Sequence, residues 1–430
     1  MKNKMNKNKT KIKSYDVVIS GGGMVGLTLA IGLAQGGFDV VVVDMAPEGD
    51  LTDTTFDGRA SALAYAPYKM LETLGIWKYA SDHAQPINEI RVSDGDSLMF
   101  IHFDKKYLGD GPMGFLVENR RNRIALFKRA KELDNLTLIA PDKVTTAVVE
   151  GERVAITLEG GKHIDASIII GAEGRNSPTR ERAGIKMVTA GYDQWGIVTT
   201  VEHSVPHNGM AHERFLPDGP FALLPLTGNR SSLVWSVRSE QVKTIMDLND
   251  RAFDHEIWKR SSGVLGDIKS TGPRFSYPLS TMLAERYTDD RMFLVGDAAH
   301  GMHPIAGQGV NLGYRDVAAL IEVLMVARAN GQDIGSEEAR KSFEQWRRVD
   351  NVTLLAVMDG LTRLFSNDIA PLRLARDIGL WASNKSVPLK KFFMKHARGD
   401  LGSKIPALLR GESLDSLKAK TTSDDVKRSA

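Results

Sequence analysis

The sequence predicts an α/β fold in which a dinucleotide-binding domain is interrupted by an antiparallel β-sheet and followed by a helical C-terminal region. Three observations predict it. A β-branched run, Tyr15 to Ser20, enters the spacing Gly21-x-Gly23-x-x-Gly26 ahead of a helical pattern, and a second run ends at Asp44. The succession of strand end, glycine and acid recurs at GAEGRN from Gly171 and at GDAAHG from Gly296. Between Tyr192 and Pro278, apolar residues alternate at strand spacing, as in GIVTTVEHSV and SLVWSV. The nucleotide domain is expected from segments 14–85, 115–190 and 286–330, and the second sheet from 86–114 and 191–285. Helices are expected over 331–413, with a basic tail at 1–13 and a polar tail at 414–430.

In the first unit, Gly21 permits the turn, Gly23 lets the backbone approach a pyrophosphate, and Gly26 lets helix pack closely on strand. Val25 lies inside this turn. The helix N-terminus then faces the phosphates, and Asp44 stands where an acid binds ribose hydroxyls. Next comes Arg59, either a solvated loop charge or a cofactor contact. The helix VENRRNRIALFKRAKEL carries Arg121 and Arg123, which are expected to be solvated. Leu136–Ile139, Val144–Val149, Val154–Leu158 and Ile164–Ile170 have strand lengths and turn-rich separators, and predict a meander returning to the main sheet. The last of them delivers Glu173. In the second sheet, Phe215, Phe221, Leu223, Trp235 and Tyr277 either line a pocket or, more readily for any one of them, fill core.

Met292 to Val295 predicts a buried strand, with Gly296 as a tight exit and Asp297 at the carboxyl end, where α/β folds bind ligands. Gly307, Gly309 and Gly313 leave backbone N–H groups uncovered before the helix NLGYRDVAALIEVLMVA, which suits an anion or an electron-rich ring.

Composition narrows the function. A net charge of +3, with no basic stripe interleaved with aromatics, argues against nucleic acid as partner. Zero cysteines removes disulfides, thiolate metal sites and thiol redox chemistry, so redox work falls to a bound cofactor. The first thirteen residues carry six lysines and no acid, and read as a solvated tail. No apolar signal region and no span of about 20 apolar residues occurs, which predicts a cytoplasmic protein. His300 and His303 have no third ligand at suitable spacing, and no metal is expected.

Together these motifs are similar to the class A FAD-dependent aromatic hydroxylases. Beyond them, FLVENR near Phe115, ERFLPDGPFALLPL from Glu213, SLVWS from Ser232 and VPLKKFFMKHARG from Val387 resemble the ubiquinone-biosynthesis branch. The resemblance implies a Rossmann-like FAD-binding domain, glutathione-reductase-like and of the p-hydroxybenzoate-hydroxylase type. It also implies that Gly21, Gly23 and Gly26 hold the FAD pyrophosphate and Asp44 the adenosine ribose, although Glu is more usual there. Arg59 and Arg120 fall on FAD-contacting positions, and Val144 on a backbone contact to adenine. Asp297, after Gly296, would meet the ribityl and pyrophosphate region. Pro304 to Asn311, including Gly307, Gln308 and Gly309, would border the isoalloxazine. Glu173 stands where relatives carry an Asp that serves FAD and pyridine-nucleotide handling.

The chemistry implied is that of a monooxygenase: NAD(P)H reduces FAD, O₂ adds at flavin C4a, and the hydroperoxide passes one oxygen to a phenol ring. The branch implies a polyprenylated phenol, other quinone-biosynthesis proteins as partners, and peripheral contact with the inner membrane. Lys390, Lys391 and Lys395 beside Phe392, Phe393 and Met394 either make that contact or belong to a basic helix with a buried side. Two other readings stand: a hydroxylase of a small soluble aromatic, and a flavin-binding subunit without turnover, the latter motivated by Glu173.

Overall fold

The computed structural model describes residues 13–55, 57–95, 100–109, 111–302, 309–365, 384–400 and 405–417. Its main sheet runs Thr288–Asp289, Met292–Leu294, His163–Gly171, Lys13–Ser20, Val40–Val43, Leu136–Ile139. All neighbours are parallel except the first pair. Val17, Val18, Ile19 and Val40 to Val43 are buried, as central parallel strands covered on both faces must be. One cover is the helix Met24–Gln35, apolar nearly all round because Gly309–Ala329 packs on its outer side. A Cβ on Gly32 would lie 2.3 Å from Ile321 Cδ1, so the helices touch through a glycine.

The register brings the predicted motifs together. Val43, Ser20, Gly171 and Leu294 are successive partners on one rung, so four strands deliver their glycines and acids to one edge.

The first strand begins at Lys13, inside the segment expected as tail. The expected meander is also corrected: Leu136–Ile139 lies parallel to Val40–Val43 at the sheet's far edge, and only Val144–Glu150, Arg153–Leu158 and His163–Gly171 run antiparallel in succession. A parallel strand needs a crossover, and the helix Asn119–Ala130 supplies it.

The second sheet has nine strands among the described residues and unites distant segments. Glu89–Asp94 and Phe100–Asp104 pair with Met210–Leu216, followed by Gly219–Leu226, Arg230–Arg238, Met187–His203 and Phe275–Ala284. Its far edge is His300–Gly301, which pairs with Met282 and Leu283 and so stitches the third glycine motif to this sheet. One face is closed by helices Ser239–Met246 and Asp250–Ser261, with Phe221, Leu223 and Trp235 in the core between. Because side chains alternate, the opposite face carries Ala222, Val234 and Ser236 toward a cavity. Of the five candidate pocket residues, Tyr277 lines that cavity, and Phe215 is buried beside Ile101.

Candidate functional site: a cavity between two sheets

The cavity has a volume of about 850 Å³ and lies between the converging strand ends and the open face of the second sheet. At its nucleotide end, Gly21 has φ +105°, and a Cβ there would lie 2.5 Å from Ala172 O. Gly26 is more constrained, since its Cβ would sit 1.9 Å from Gly21 O. Gly23 precedes the helix without any side-chain cap, and the space over its Cα is open. Helix N–H groups thus face the cavity with room for an anion, the arrangement a pyrophosphate needs.

Val25 joins the first motif to the third. A Cβ on Gly313 would lie 2.7 Å from Val25 Cγ2, and one on Gly296, whose φ is +59°, would lie 3.3 Å from the same side chain. The isopropyl group therefore fills a slot that two glycines leave open.

Asp44 is half-buried, with Oδ2 accepting from Gly22 N–H at 2.5 Å and Oδ1 from Ala46 N–H at 2.7 Å. Arg59 lines the cavity and is exposed. Arg120 lies off the cavity wall, its guanidinium donating to Thr54 O at 2.5 Å and to Glu118 Oε2 at 3.1 Å. Arg123, expected to be solvated, pairs with Asp57 at 2.8 Å, and Arg121 has a buried Nε. Val144 is buried and its carbonyl accepts from Arg182 at 3.0 Å. Glu173 accepts from Ser177 Oγ at 2.6 Å and from Thr179 Oγ1, so its carboxylate is committed to the start of the helix Pro178–Arg182.

Asp297 opens into the cavity with 48% of its side chain exposed, 3.6 Å from Arg175 Nε. Partial desolvation at the cavity wall raises its carboxyl above the usual range, against the pull of the Arg175 charge. Arg175 also donates to Ser280 Oγ at 2.8 Å, which ties the second motif to the second sheet. Tyr277 beside it has its phenol pushed up by burial, with Arg59 and Arg175 acting the other way.

The turn before Asp297 is held from behind by a buried network. Asp316 Oδ2 accepts from Gly296 N–H at 2.9 Å and meets His300 Nε2 at 2.5 Å, while Oδ1 accepts from Arg347 Nε at 2.8 Å. Burial alone would raise this carboxyl, yet the His300 and Arg347 charges bring it down to about 2. Asn311 is likewise turned away from the cavity, accepting from Ala64 N–H at 2.9 Å and donating to Ala62 O at 2.8 Å. Gly309 and Val310 line the cavity; Pro304, Gly307 and Gln308, with His303, lie outside the described residues.

Sequence reading missed Arg175, Ser280 and Asp316. Arg175 follows directly on the second motif and was within reach. Asp316 was not, because its partners come from a helix thirty residues on and from the turn before it.

The far end of the cavity is apolar, with Ile87, Ile90, Phe103, Met113, Phe393 and Met394. The last two come from the helix Val387–Arg398, which exposes Leu389, Phe392 and Phe393 alongside Lys391 and Lys395. Lys390 departs from expectation. It is buried, its Nζ 3.3 Å from Asn384 Oδ1 and 4.7 Å from the Tyr107 ring, because 390, 394 and 398 share the helix's inner face.

Residues 14–336 match the family described as FAD binding domain. The ubiquinone hydroxylase UbiL of Rhodospirillum rubrum is 48% identical over 404 residues, covering 94% of each chain. The 3-demethoxyubiquinol 3-hydroxylase of Escherichia coli is 35% identical over 89% of this chain and 98% of its own. In fold, p-nitrophenol 4-monooxygenase PnpA from Pseudomonas putida superposes with a TM-score of 0.76 at 17% identity, over 92% of this chain and all of that one. The chain belongs to the FAD-binding family of aromatic-ring monooxygenases. Within it, the chain falls in the branch of the ubiquinone-biosynthesis hydroxylases.

Proposed function

We propose that the chain hydroxylates the ring of a polyprenylated phenol, with NAD(P)H as reductant and O₂ as oxygen source. The balance is ring C–H, O₂, NAD(P)H and a proton giving ring C–OH, water and NAD(P)⁺. One observation carries the reading: a single cavity runs from the uncapped helix at Gly23 to an apolar end at Phe393 and Met394, long enough in character for a ring and its tail.

FAD, when bound, supplies hydride acceptance and oxygen transfer. The chain's residues bind, orient and exclude water. Backbone N–H groups after Gly23 would take the pyrophosphate, with Gly21 and Gly26 shaping the turn and Val25 locking it. Asp44 would hold ribose, Arg59 the phosphates, and Asp297 the ribityl hydroxyls, with Gly309 and Val310 beside the ring system. We assign Pro304, Gly307 and Gln308 to the same border by family resemblance. Arg120, Val144, Glu173, Gly296 and Asn311 act through the loops that they brace. The nucleotide unit so defined comprises 14–85, 115–190 and 286–330, and the second sheet closes the substrate side.

The helix Val387–Arg398 supports access from a lipid surface, since exposed Phe392 (54%) and Phe393 (40%) flank Lys391 and Lys395 at the cavity's apolar end. No described helix is long and apolar enough to cross a membrane. Charge reversal at Lys391 and Lys395 should cut co-sedimentation with anionic liposomes, and unchanged sedimentation would remove the membrane part of the proposal. For the reaction, the holoenzyme is assayed with NAD(P)H, O₂ and phenols of increasing isoprenoid length, products being read by mass. Turnover should rise with tail length. Equal turnover of untailed phenols would replace this substrate class by small aromatics, and failure of NAD(P)H to reduce the flavin in stopped flow would sink the catalytic reading.

A further inference from the structure

The cavity wall on the second sheet is largely apolar; Tyr277 and Ser280 lie on the strand Phe275–Ala284 beside Arg175, and two further polar residues, Glu213 and Ser236, interrupt the rest. Along one rung, Ile101, Val92, Glu213, Ala222, Val234, Val198 and Phe275 are successive cross-strand partners. Glu213 is the one ionisable residue in it, and it shares the cavity face with Ala211, Ala222 and Val234.

The position along the cavity is informative. Ala211, two residues back on the same strand, packs with Met394, Ile87 and Met113 at the apolar end. Glu213 therefore begins about 7 Å deeper, one side-chain repeat beyond that apolar vestibule. A carboxylate there meets the head of a molecule whose tail occupies the vestibule.

The other is Ser236. It lines the same face, two residues beyond Val234, is 2% exposed, and its Oγ has no hydrogen-bond partner among the described residues. Buried hydroxyls are nearly always paired, so an orphan on a cavity wall points to a ligand atom as its partner. Two strand spacings and one two-residue step separate Glu213 from Ser236, roughly 12 Å between Cα atoms, with the small Ala222 beside the path. A substituted ring fits between a carboxylate reaching from one side and a hydroxyl from the other.

We infer that Glu213 and Ser236 form the head-group subsite of this cavity, Glu213 accepting the phenolic proton and Ser236 hydrogen-bonding a second ring oxygen. This rests on the proposed phenol hydroxylase function and deepens it. In the proton step the phenol O–H bond breaks, the proton passes to a Glu213 carboxylate oxygen, and the electron pair stays on the phenolate oxygen. The carboxylate becomes a carboxylic acid and nothing is oxidised. The ring gains electron density at the carbons ortho and para to that oxygen, where an electrophilic oxygen donor attacks. Such a general base contributes about 10²–10⁴-fold.

The test compares the unaltered holoenzyme, Glu213→Gln, Glu213→Asp and Ser236→Ala with a prenylated phenol and its methyl ether, which has no proton to give. Binding is read by quenching of flavin fluorescence, turnover by hydroxylated product, and uncoupling by hydrogen peroxide released per NAD(P)H consumed. The unaltered enzyme should prefer phenol to ether by at least about tenfold in binding, the range of a hydrogen bond to a charged group. Glu213→Gln should retain stoichiometric FAD and its NAD(P)H-driven reduction, lose that preference, hydroxylate at least about 10²-fold more slowly, and release more peroxide. Glu213→Asp should recover part of both, and Ser236→Ala should weaken phenol and ether alike. A Glu213→Gln enzyme within threefold of the unaltered one in preference and in rate would overturn the assignment while leaving the phenol reading intact. An unaltered enzyme that converts no phenol would overturn both.

Discussion

Replacing Asp316 by Asn tests how the flavin-side turn is built. The carboxylate is fully buried and accepts from Gly296, His300 and Arg347, with Asn351 Nδ2 a further 3.4 Å contact. Asn keeps the shape, but removes the charge and turns an amide N–H₂ toward groups that are themselves donors. The fall of the carboxyl from 3.8 to about 2 corresponds to about 2–3 kcal/mol of stabilisation at neutral pH. Leaving the Arg347 guanidinium buried without that partner adds to it, so the unfolding free energy should drop by about 3–5 kcal/mol. The measurement is urea denaturation of both proteins, followed by circular dichroism at several pH values. The sign is set by a depressed acid: the advantage over the Asn variant is complete above the unfolded pKa near 4 and disappears as pH falls from there toward about 2. A loss below about 1 kcal/mol at pH 7, or a difference unchanged down to pH 2, would refute the network as the support of the turn.

Gly26→Ala should yield a chain without FAD, because its Cβ would lie 1.9 Å from Gly21 O and the glycine turn must open; visible absorbance of the purified protein checks this. Asp297→Ala should weaken FAD retention on dilution while leaving the thermal midpoint of the apoprotein unchanged or raised, since it removes a carboxylate that partial desolvation already disfavours. Retained stoichiometric FAD at unchanged affinity would count against the ribityl assignment.

What was legible in the sequence was local. The glycine spacing around Gly21, the positive φ at Gly296 and the strand lengths leading to Asp44, Glu173 and Asp297 are set by a few consecutive residues, and the parallel register brings their ends to one rung. What was not legible depends on partners far along the chain. Glu173 looked like a cofactor ligand, but its carboxylate is taken by Ser177 and Thr179; Asn311 looked cavity-directed, but holds the strand Ala60–Ala64. Lys390 was read with its lysine neighbours, although the spacing 390, 394, 398 marks the buried face of the helix. Trp235 and Tyr277 are both aromatics of the second sheet, and only the direction each faces separates core from cavity.

The slot filled by Val25 sets an order of events during synthesis. The glycine turn is chemically complete once Gly26 has been made, but its partners Gly296 and Gly313 are made much later. At about 5–20 residues per second, the ribosome needs roughly 15–60 s to reach them. Until then the first helix has the strands and the helix Asn119–Ala130 against it, but not Gly309–Ala329 on its outer side. Closing that slot is therefore a late step, and a nascent chain stopped before Gly296 carries the first glycine turn without the two glycines that receive Val25.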